Sequence, residues 1–340
     1  MIILGIETSC DETSAAVLDG GTVKSNVISS QLVHARYGGV VPELASRAHQ
    51  RMIIEVVDEA LTKAGVTKND LQSIAATQGP GLAGALLVGL CFGKAMAYGL
   101  QVPFVGINHM EGHLYSNFLT KEKPSYPFVS LIVSGGHSML VHVKAPFEHR
   151  VLGQTRDDAA GEAFDKVAKM LGLGYPGGPV IDKLSVDGNP RAINFPRSYL
   201  NHDTFDFSFS GIKTAVLYYL KHQGLFDPDL GELSINQQHL ADICASFQEA
   251  VVDVLVSKTL LAANELNVKV IALAGGVSAN SSLRKRMKHE TEKRHFKLFY
   301  PPLEYCMDNA AMIAYVGWMK LQRQIESGFD IPAVANLELT

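Results

Sequence analysis

Phe128-Val129-Ser130-Leu131-Ile132-Val133-Ser134-Gly135-Gly136-His137, continued by the apolar run 139–143, decides the fold, because it repeats a plan that the chain has already used once. The first use is Ile2-Ile3-Leu4-Gly5-Ile6-Glu7, the small polar stretch Cys10-Asp11-Glu12-Thr13-Ser14 as its turn, and the run 15–19. In both, a β-branched apolar run meets small polar turn residues and then a second run, the pattern of a hairpin. Outward from the first hairpin, 23–29 reads as a third strand, 43–64 as a long helix, 73–77 as a strand, 82–99 as a Gly-rich helix and 104–107 as a strand, with a helical stretch starting near His109. From the second hairpin come helices at 159–171, 212–222 and 239–265, strand 268–274, a basic helix from Ser281, strand 297–300 and a last helix from Asn309. Strands alternating with helices imply crossovers on a sheet. The restart near residue 126 therefore predicts a duplicated α/β chain of two lobes, with the two hairpin turns offering N–H groups and hydroxyls across a cleft.

Composition narrows the class. With 47% hydrophobic and 19% charged residues, the 340-residue chain can bury a sizeable core, which excludes a disordered or fibrous protein. Cys10, Cys91, Cys244 and Cys306 are far apart and form no C-x-x-C pair, which argues against a disulfide framework or thiolate zinc site and points to a reducing cytosol. Met1 runs straight into a strand with no basic leader, so no export signal is expected. The stretch 82–100 has the length of a membrane span, but it holds Lys94 and four glycines between two strands and reads as a buried helix. A net charge of −4 excludes nucleic-acid binding by global charge. The local patch from Arg284 to Lys297, seven cations against two carboxylates, is either a solvated helix face or a nucleic-acid contact.

Five stretches of the chain are candidates for chemistry. Gly79-Pro80-Gly81-Leu82-Ala83-Gly84 fits G-x-G-x-x-G between strand and helix, yet no acidic residue stands ~20 positions on to hold a ribose, which favours close backbone approach over a dinucleotide site. His109-Met110-Glu111-Gly112-His113 puts two imidazoles at i and i+4 on one helix face, able to share a metal ion or to stand as two hydrogen-bonded histidines. Glu111 points another way around the helix, unlike the base of a zinc protease, which directly follows its first histidine. Asp308 is the best third ligand on local grounds, and its plain reading as a helix N-cap is compatible with that, since a capping carboxylate has one oxygen free for a ligand. Ala274-Gly275-Gly276-Val277-Ser278-Ala279-Asn280 and Tyr175-Pro176-Gly177-Gly178-Pro179 read as turns or as ligand-cradling loops. Asp157, Asp158, Glu162 and Asp165 crowd a helix start, by dipole preference or for a ligand.

The ordered set Gly5–Ser14, Gly38–Arg47, Gly79–Leu82, His109–His113, Val133–His137, Asp157–Lys166, Phe207–Gly211 and Ala274–Asn280 resembles the TsaD family of tRNA adenosine threonylcarbamoyltransferases. The resemblance implies the actin, Hsp70 and sugar-kinase-like fold, with a first lobe of 1–125 completed by a C-terminal helix over 308–328, and a second lobe of 126–307. It implies one iron or zinc ion per subunit, on His109, His113 and Asp308. It also implies that threonylcarbamoyl-adenylate lies along Ile132, Val133, Ser134, Gly135 and Gly136 and contacts Asp165, Gly178, Asp182 and Asn280. The implied reaction moves the threonylcarbamoyl group to N6 of adenosine 37 in tRNAs reading codons that begin with A, forming t6A and releasing AMP. Asp11 or Glu12 is the candidate acceptor of the amine proton. The implied partners are TsaB, docking on the 43–64 helix, the ATPase TsaE and a second copy of the chain, all in the cytoplasm with no membrane. A metalloprotease, a phosphotransferase and an inactive scaffold are the competing readings.

Overall fold

In the first half of the chain Ile2–Glu7 (β1), Glu12–Asp19 (β2) and Thr22–Ser30 (β3) form an antiparallel meander. Ser73–Gly79 (β4) and Phe104–Asn108 (β5) extend it in parallel, giving the order β3-β2-β1-β4-β5. The helices Pro42–Ala64 (α1) and Ala83–Leu100 (α2) connect the later strands, and His109–Tyr115 (α3) follows β5. The computed structural model describes residues 1–198, 204–227 and 232–339, and the chain divides into two units, Met1–Lys123 with Pro301–Thr340, and Pro124–Tyr300.

The second unit repeats the plan. Phe128–Val133 (β6), Ser138–Ala145 (β7) and Glu148–Gln154 (β8) form the meander. Ala160–Met170 (α4), Gly177–Ser185 (α5) and Ser210–His222 (α6) follow, then the short strands Phe226–Asp227 (β9) and Glu232–Leu233 (β10) and the long helix Gln237–Glu265 (α7). Val270–Ala274 (β11), Ser281–Lys293 (α8) and Lys297–Phe299 (β12) complete it, and the sheet runs β8-β7-β6-β11-β12 with the same strand senses as the first. The chain then returns to the first unit through Ala310–Leu321 (α9), shorter than the helix expected over 308–328, since Asn309 caps its start and Gln324 turns left-handed at φ 59° just past its end.

Three elements depart from the sequence reading. Glu12, expected within a turn, already pairs with Ser30 at the start of β2, because Thr13 and Ser14 are comfortable in an extended chain. Gly177, Gly178 and Pro179, expected as a turn, open α5, where a missing N–H goes unnoticed because the first helical donors have no intrahelical partner. Edge strand β8 is half exposed and too polar to show alternation.

Each unit has its own core. Leu4, Ile6, Val17, Ile53 and Leu90 pack in the first, and Phe164, Phe207, Phe247 and Leu255 in the second. Helix α2 is long and apolar enough to cross a membrane and a third of it is buried. Its small residues Ala85, Gly89, Gly93 and Ala97 form the buried side, and Lys94 donates from Nζ to the Ile331 carbonyl.

One close approach positions the site. A Cβ on Gly5 of β1 would overlap the Ala310 carbonyl and Ala314, so only glycine lets α9 lie this near β1. The backbone donors at the start of α9 that have no partner within the helix are taken by the sheet: Ser14 Oγ accepts from Ala310 N–H at 2.9 Å and Asn26 Oδ1 from Ala311 N–H at 3.3 Å. Gly5→Ala is expected to lower stability by about 1–3 kcal/mol in urea unfolding, whereas Gly211→Ala, where a Cβ meets nothing in the first turn of α6, is expected to be neutral or stabilising by up to ~1 kcal/mol. Equal stability of Gly5→Ala and the wild type would mean that the β1–α9 contact relaxes freely.

Candidate metal centre and ligand loops

Helix α3 starts directly from β5. Asn108 caps it, its Oδ1 accepting from Met110 N–H at 2.8 Å while its Nδ2 donates to the Glu338 carbonyl at 2.8 Å. One turn of helix brings His109 and His113 edge to face, with ring centroids 4.7 Å apart. Both Nε2 atoms turn to one oxygen: Asp308 Oδ1 lies 3.0 Å from His113 and 3.4 Å from His109. Asp308 is not the cap of α9 that the sequence allowed. Asn309 fills that place, its Oδ1 accepting from Met312 N–H at 3.1 Å, which leaves the Asp308 carboxylate to the imidazoles.

Behind His109 stands a residue that the motif reading does not single out. Glu7, fully buried at the end of β1, accepts from His109 Nδ1 at 2.8 Å and from Thr77 Oγ1 at 2.7 Å through Oε2, and from Ser9 N–H at 2.5 Å through Oε1. Burial opposes charge on Glu7, but the His109 imidazolium and these donors outweigh it and hold the carboxyl below its usual range. Burial likewise opposes charge on His109, and the Asp308 and Glu7 carboxylates overcome it, holding the imidazole protonated well above its ordinary pKa. Asp308 follows the same logic: His109 and His113 outweigh desolvation and keep it well below the carboxylate range. The only sequence signal for Glu7 is a carboxylate ending an otherwise apolar strand.

The donor set fits iron or zinc. Two imidazole Nε2 atoms and a carboxylate oxygen lie within 4.8 Å of one another, the combination both ions accept with open positions left over. Glu7 completes the carboxylate–histidine arrangement that fixes a ligand's tautomer, keeping the proton on Nδ1 and freeing Nε2. His113 Nδ1 is buried without a partner, so only one of the two rings is oriented in this way.

Asp11 sits in the β1–β2 turn and Glu12 follows it. Burial, with the charges of Asp308 and Asp11 added, pushes the Glu12 carboxyl up to about 9. His49 secures the turn, its Nε2 2.9 Å from the Cys10 carbonyl and its Nδ1 2.8 Å from Thr13 Oγ1.

The remaining expected site residues lie in the second unit, and hydrogen bonds link them. Ile132 and Val133 end β6, and Ser134 Oγ accepts from His137 N–H at 3.1 Å to shape the loop. Cβ atoms on Gly135 and Gly136 would meet nothing, so this loop is open. Asp165 on α4 accepts from Gly177 N–H at 2.7 Å, next to Gly178. Asp182 on α5 accepts from Ser281 N–H at 3.0 Å and Oγ at 2.8 Å. Asn280 caps α8, taking Leu283 N–H at 2.9 Å, and donates to Gln248 Oε1 at 2.7 Å. Gly275, at φ +83°, leaves room for the Val133 carbonyl, so the loops after the parallel strands β6 and β11 adjoin at their carboxyl ends.

Other motif residues have structural tasks. Asp157 accepts from Ser208 Oγ, Phe209 N–H and Ser210 N–H, and Asp158 pairs with Lys166 and Lys213. Within the G-x-G-x-x-G stretch, a Cβ on Gly79 would strike the Val334 carbonyl and one on Gly81 would strike Ser9, so the glycines admit the chain's own segments. In the basic helix, Arg286 pairs with Glu249 and Asp253, Arg294 with Glu290, and Arg284 lies 4.5 Å over the Tyr300 ring.

Residues 22–315 match the family model described as "TsaD: tRNA N6-adenosine threonylcarbamoyltransferase". A protein of that name from Salinibacter ruber is 56% identical over 322 residues, covering 94% of this chain and 95% of its own. Another from Chlorobium phaeobacteroides is 54% identical over 337 residues, covering 96% of this chain and 93% of its own. Among solved structures, full-length HypF in its phosphate- and nucleotide-bound form aligns with a TM-score of 0.62 at 13% identity, over 96% of this chain and 47% of HypF, a likeness of fold alone. With the same five-stranded plan in both units, the fold is that of the actin, Hsp70 and sugar-kinase group. Matched across most of its length and at more than half identity, the chain belongs to the TsaD family of tRNA N6-adenosine threonylcarbamoyltransferases.

Proposed function

We propose that this chain transfers the threonylcarbamoyl group of threonylcarbamoyl-adenylate to N6 of adenosine 37 in tRNAs reading ANN codons, forming t6A and releasing AMP. The reading is carried by the shared name of relatives more than half identical over nearly the whole chain. The N6 lone pair forms a bond to the carbamoyl carbon, the bond from that carbon to the phosphate oxygen breaks, and AMP leaves with the electron pair. The donor is an activated anhydride, so the protein chiefly orients it and removes one proton from a weakly nucleophilic amine.

Ile132–Gly136, Asp165, Gly178, Asp182 and Asn280 hold the adenylate, the open glycine loop offering backbone N–H groups and the linked side chains their remaining hydrogen-bonding positions. His109, His113 and Asp308 would hold iron or zinc, which supplies Lewis-acid polarisation of a carbonyl or phosphoryl oxygen. Glu12, with Asp11 beside it, takes the amine proton. Burial is the larger cause of the raised Glu12 carboxyl and the Asp308 charge adds to it, so neutralising Asp308 with a bound cation would bring Glu12 part of the way back towards a proton-accepting carboxylate.

The exposed sides of α1 and α2 suit TsaB: Ile54 and Tyr98 are each 67% exposed and Leu87 50%, large apolar side chains on two helices packed together. TsaE and a homodimer complete the proposed partners. The tRNA places the reaction in the cytoplasm.

Transfer of labelled threonine to tRNA, with TsaB, TsaE and threonylcarbamoyl-adenylate supplied, is the direct test. Wild type is expected to label adenosine 37, and Glu12→Gln to lose ~10²-fold or more in kcat together with the rising limb of the pH profile. Folded wild type that leaves tRNA unlabelled would favour the phosphotransferase or scaffold reading. Because His109 is held protonated, zinc binding near pH 7 is expected to release about one proton, seen in calorimetry across buffers. Glu7→Gln should weaken zinc ~10–100-fold, and unchanged affinity would remove Glu7 from the site. Leu87→Arg on α2 is expected to abolish TsaB binding in gel filtration while the isolated chain keeps its melting temperature, and a complex that persists would place TsaB elsewhere.

A further inference from the structure

Glu111 lies between His109 and His113 in sequence but on the other side of α3, and the chemistry above gives it no task. It is 8% exposed, and its Oε2 lies 2.6 Å from Lys320 Nζ, the two side chains 10% and 17% exposed. Lys320 belongs to the last turn of α9. Asp308 stands just before the first turn of the same helix. Helix α3 is thus tied towards both ends of α9, through its histidines at one and through Glu111 at the other. Between the two ties the helices press together at Gly112, where a Cβ would sit 3.0 Å from Met312 Cγ and 3.1 Å from Ile313 Cδ1.

From this arrangement we infer that Glu111 and Lys320 are a positioning pair, setting the rotation of α3 against α9 at which both Nε2 atoms meet Asp308 Oδ1. The inference rests on the reading of His109, His113 and Asp308 as a metal site. The seven buried residues of α3 and the Glu7–His109 bond hold the helix in its place, and the ion pair adds a charge-specific restraint on its rotation from the opposite side. A turn of about 20° would carry an imidazole nitrogen ~6 Å from the helix axis through about 2 Å. Metal–ligand distances tolerate roughly 0.2 Å. A largely buried ion pair suits the task, because either charge left alone there is strongly unfavourable and the two side chains are kept together.

The test is zinc affinity, measured on the full chain by competition with a chelating dye, with folding followed by circular dichroism. Glu111→Gln and Lys320→Met are each expected to weaken zinc about tenfold, Lys320→Arg to stay within about threefold of wild type, and the double variant to be no worse than either single one. His109→Ala separates the two ideas: zinc bound as tightly as in wild type would overturn the metal reading itself. With His109→Ala defective, a folded Glu111→Gln of wild-type affinity and lowered melting temperature would reduce the pair to a stability contact and overturn the inference. If Lys320→Met does not fold, Glu111→Gln decides. Failure of both to fold would make the pair a requirement of the fold and also overturn its positioning role.

Discussion

A carboxylate with no exposed surface, Glu7, is the constraint from which the first unit's site follows. An ionised group in that position is tolerable only if donors surround it. Those donors come from three elements: Ser9 from the turn after β1, Thr77 from β4 and His109 from α3. The charge thereby fixes where α3 begins relative to the sheet and which His109 nitrogen carries the proton. Asp308 is brought to the other side of the ring by the approach of α9 to Gly5, and the imidazole stands between two carboxylates. An anionic pocket around one cationic ring is well arranged to exchange a proton for a metal ion.

The two units share a strand plan and differ where the chemistry lies. The last residue of β1 is the charged Glu7, and the last of β6 is the apolar Val133, followed by Ser134 and two open glycines. The first unit therefore gathers side-chain donors suited to a cation. The second keeps its backbone exposed, beside carboxylates and an amide already oriented by Gly177, Ser281 and Gln248. Duplication supplies the scaffold, and one substitution in kind at the strand end separates the roles.

Much of this was legible in the chain. The repeated hairpins were readable because apolar alternation is a local signal, and the histidine pair because i and i+4 share a helix face. The orientation of Glu111 away from the histidines followed from the same geometry, but its partner 209 positions away left no local trace. Glu7 was illegible for that reason, its partners lying 70 and 102 residues on. Asp308 is legible as a third ligand, but its compatible reading as the cap fails, because adjacent Asp and Asn compete for that place and the backbone gives it to Asn309. Gly178 and Asp182 came from family resemblance, since Gly-Gly-Pro reads locally as a turn and conceals the helix it opens.

The central claim is that Glu7 holds the His109 proton on Nδ1 and leaves Nε2 for a ligand. Nitrogen-15 NMR of histidine-labelled protein, before and after zinc, tests it most directly. The account predicts that zinc removes the Nε2 proton of His109 and shifts that nitrogen while the Nδ1–H resonance persists. Loss of the Nδ1 proton, or zinc binding that leaves His109 unshifted, would contradict it.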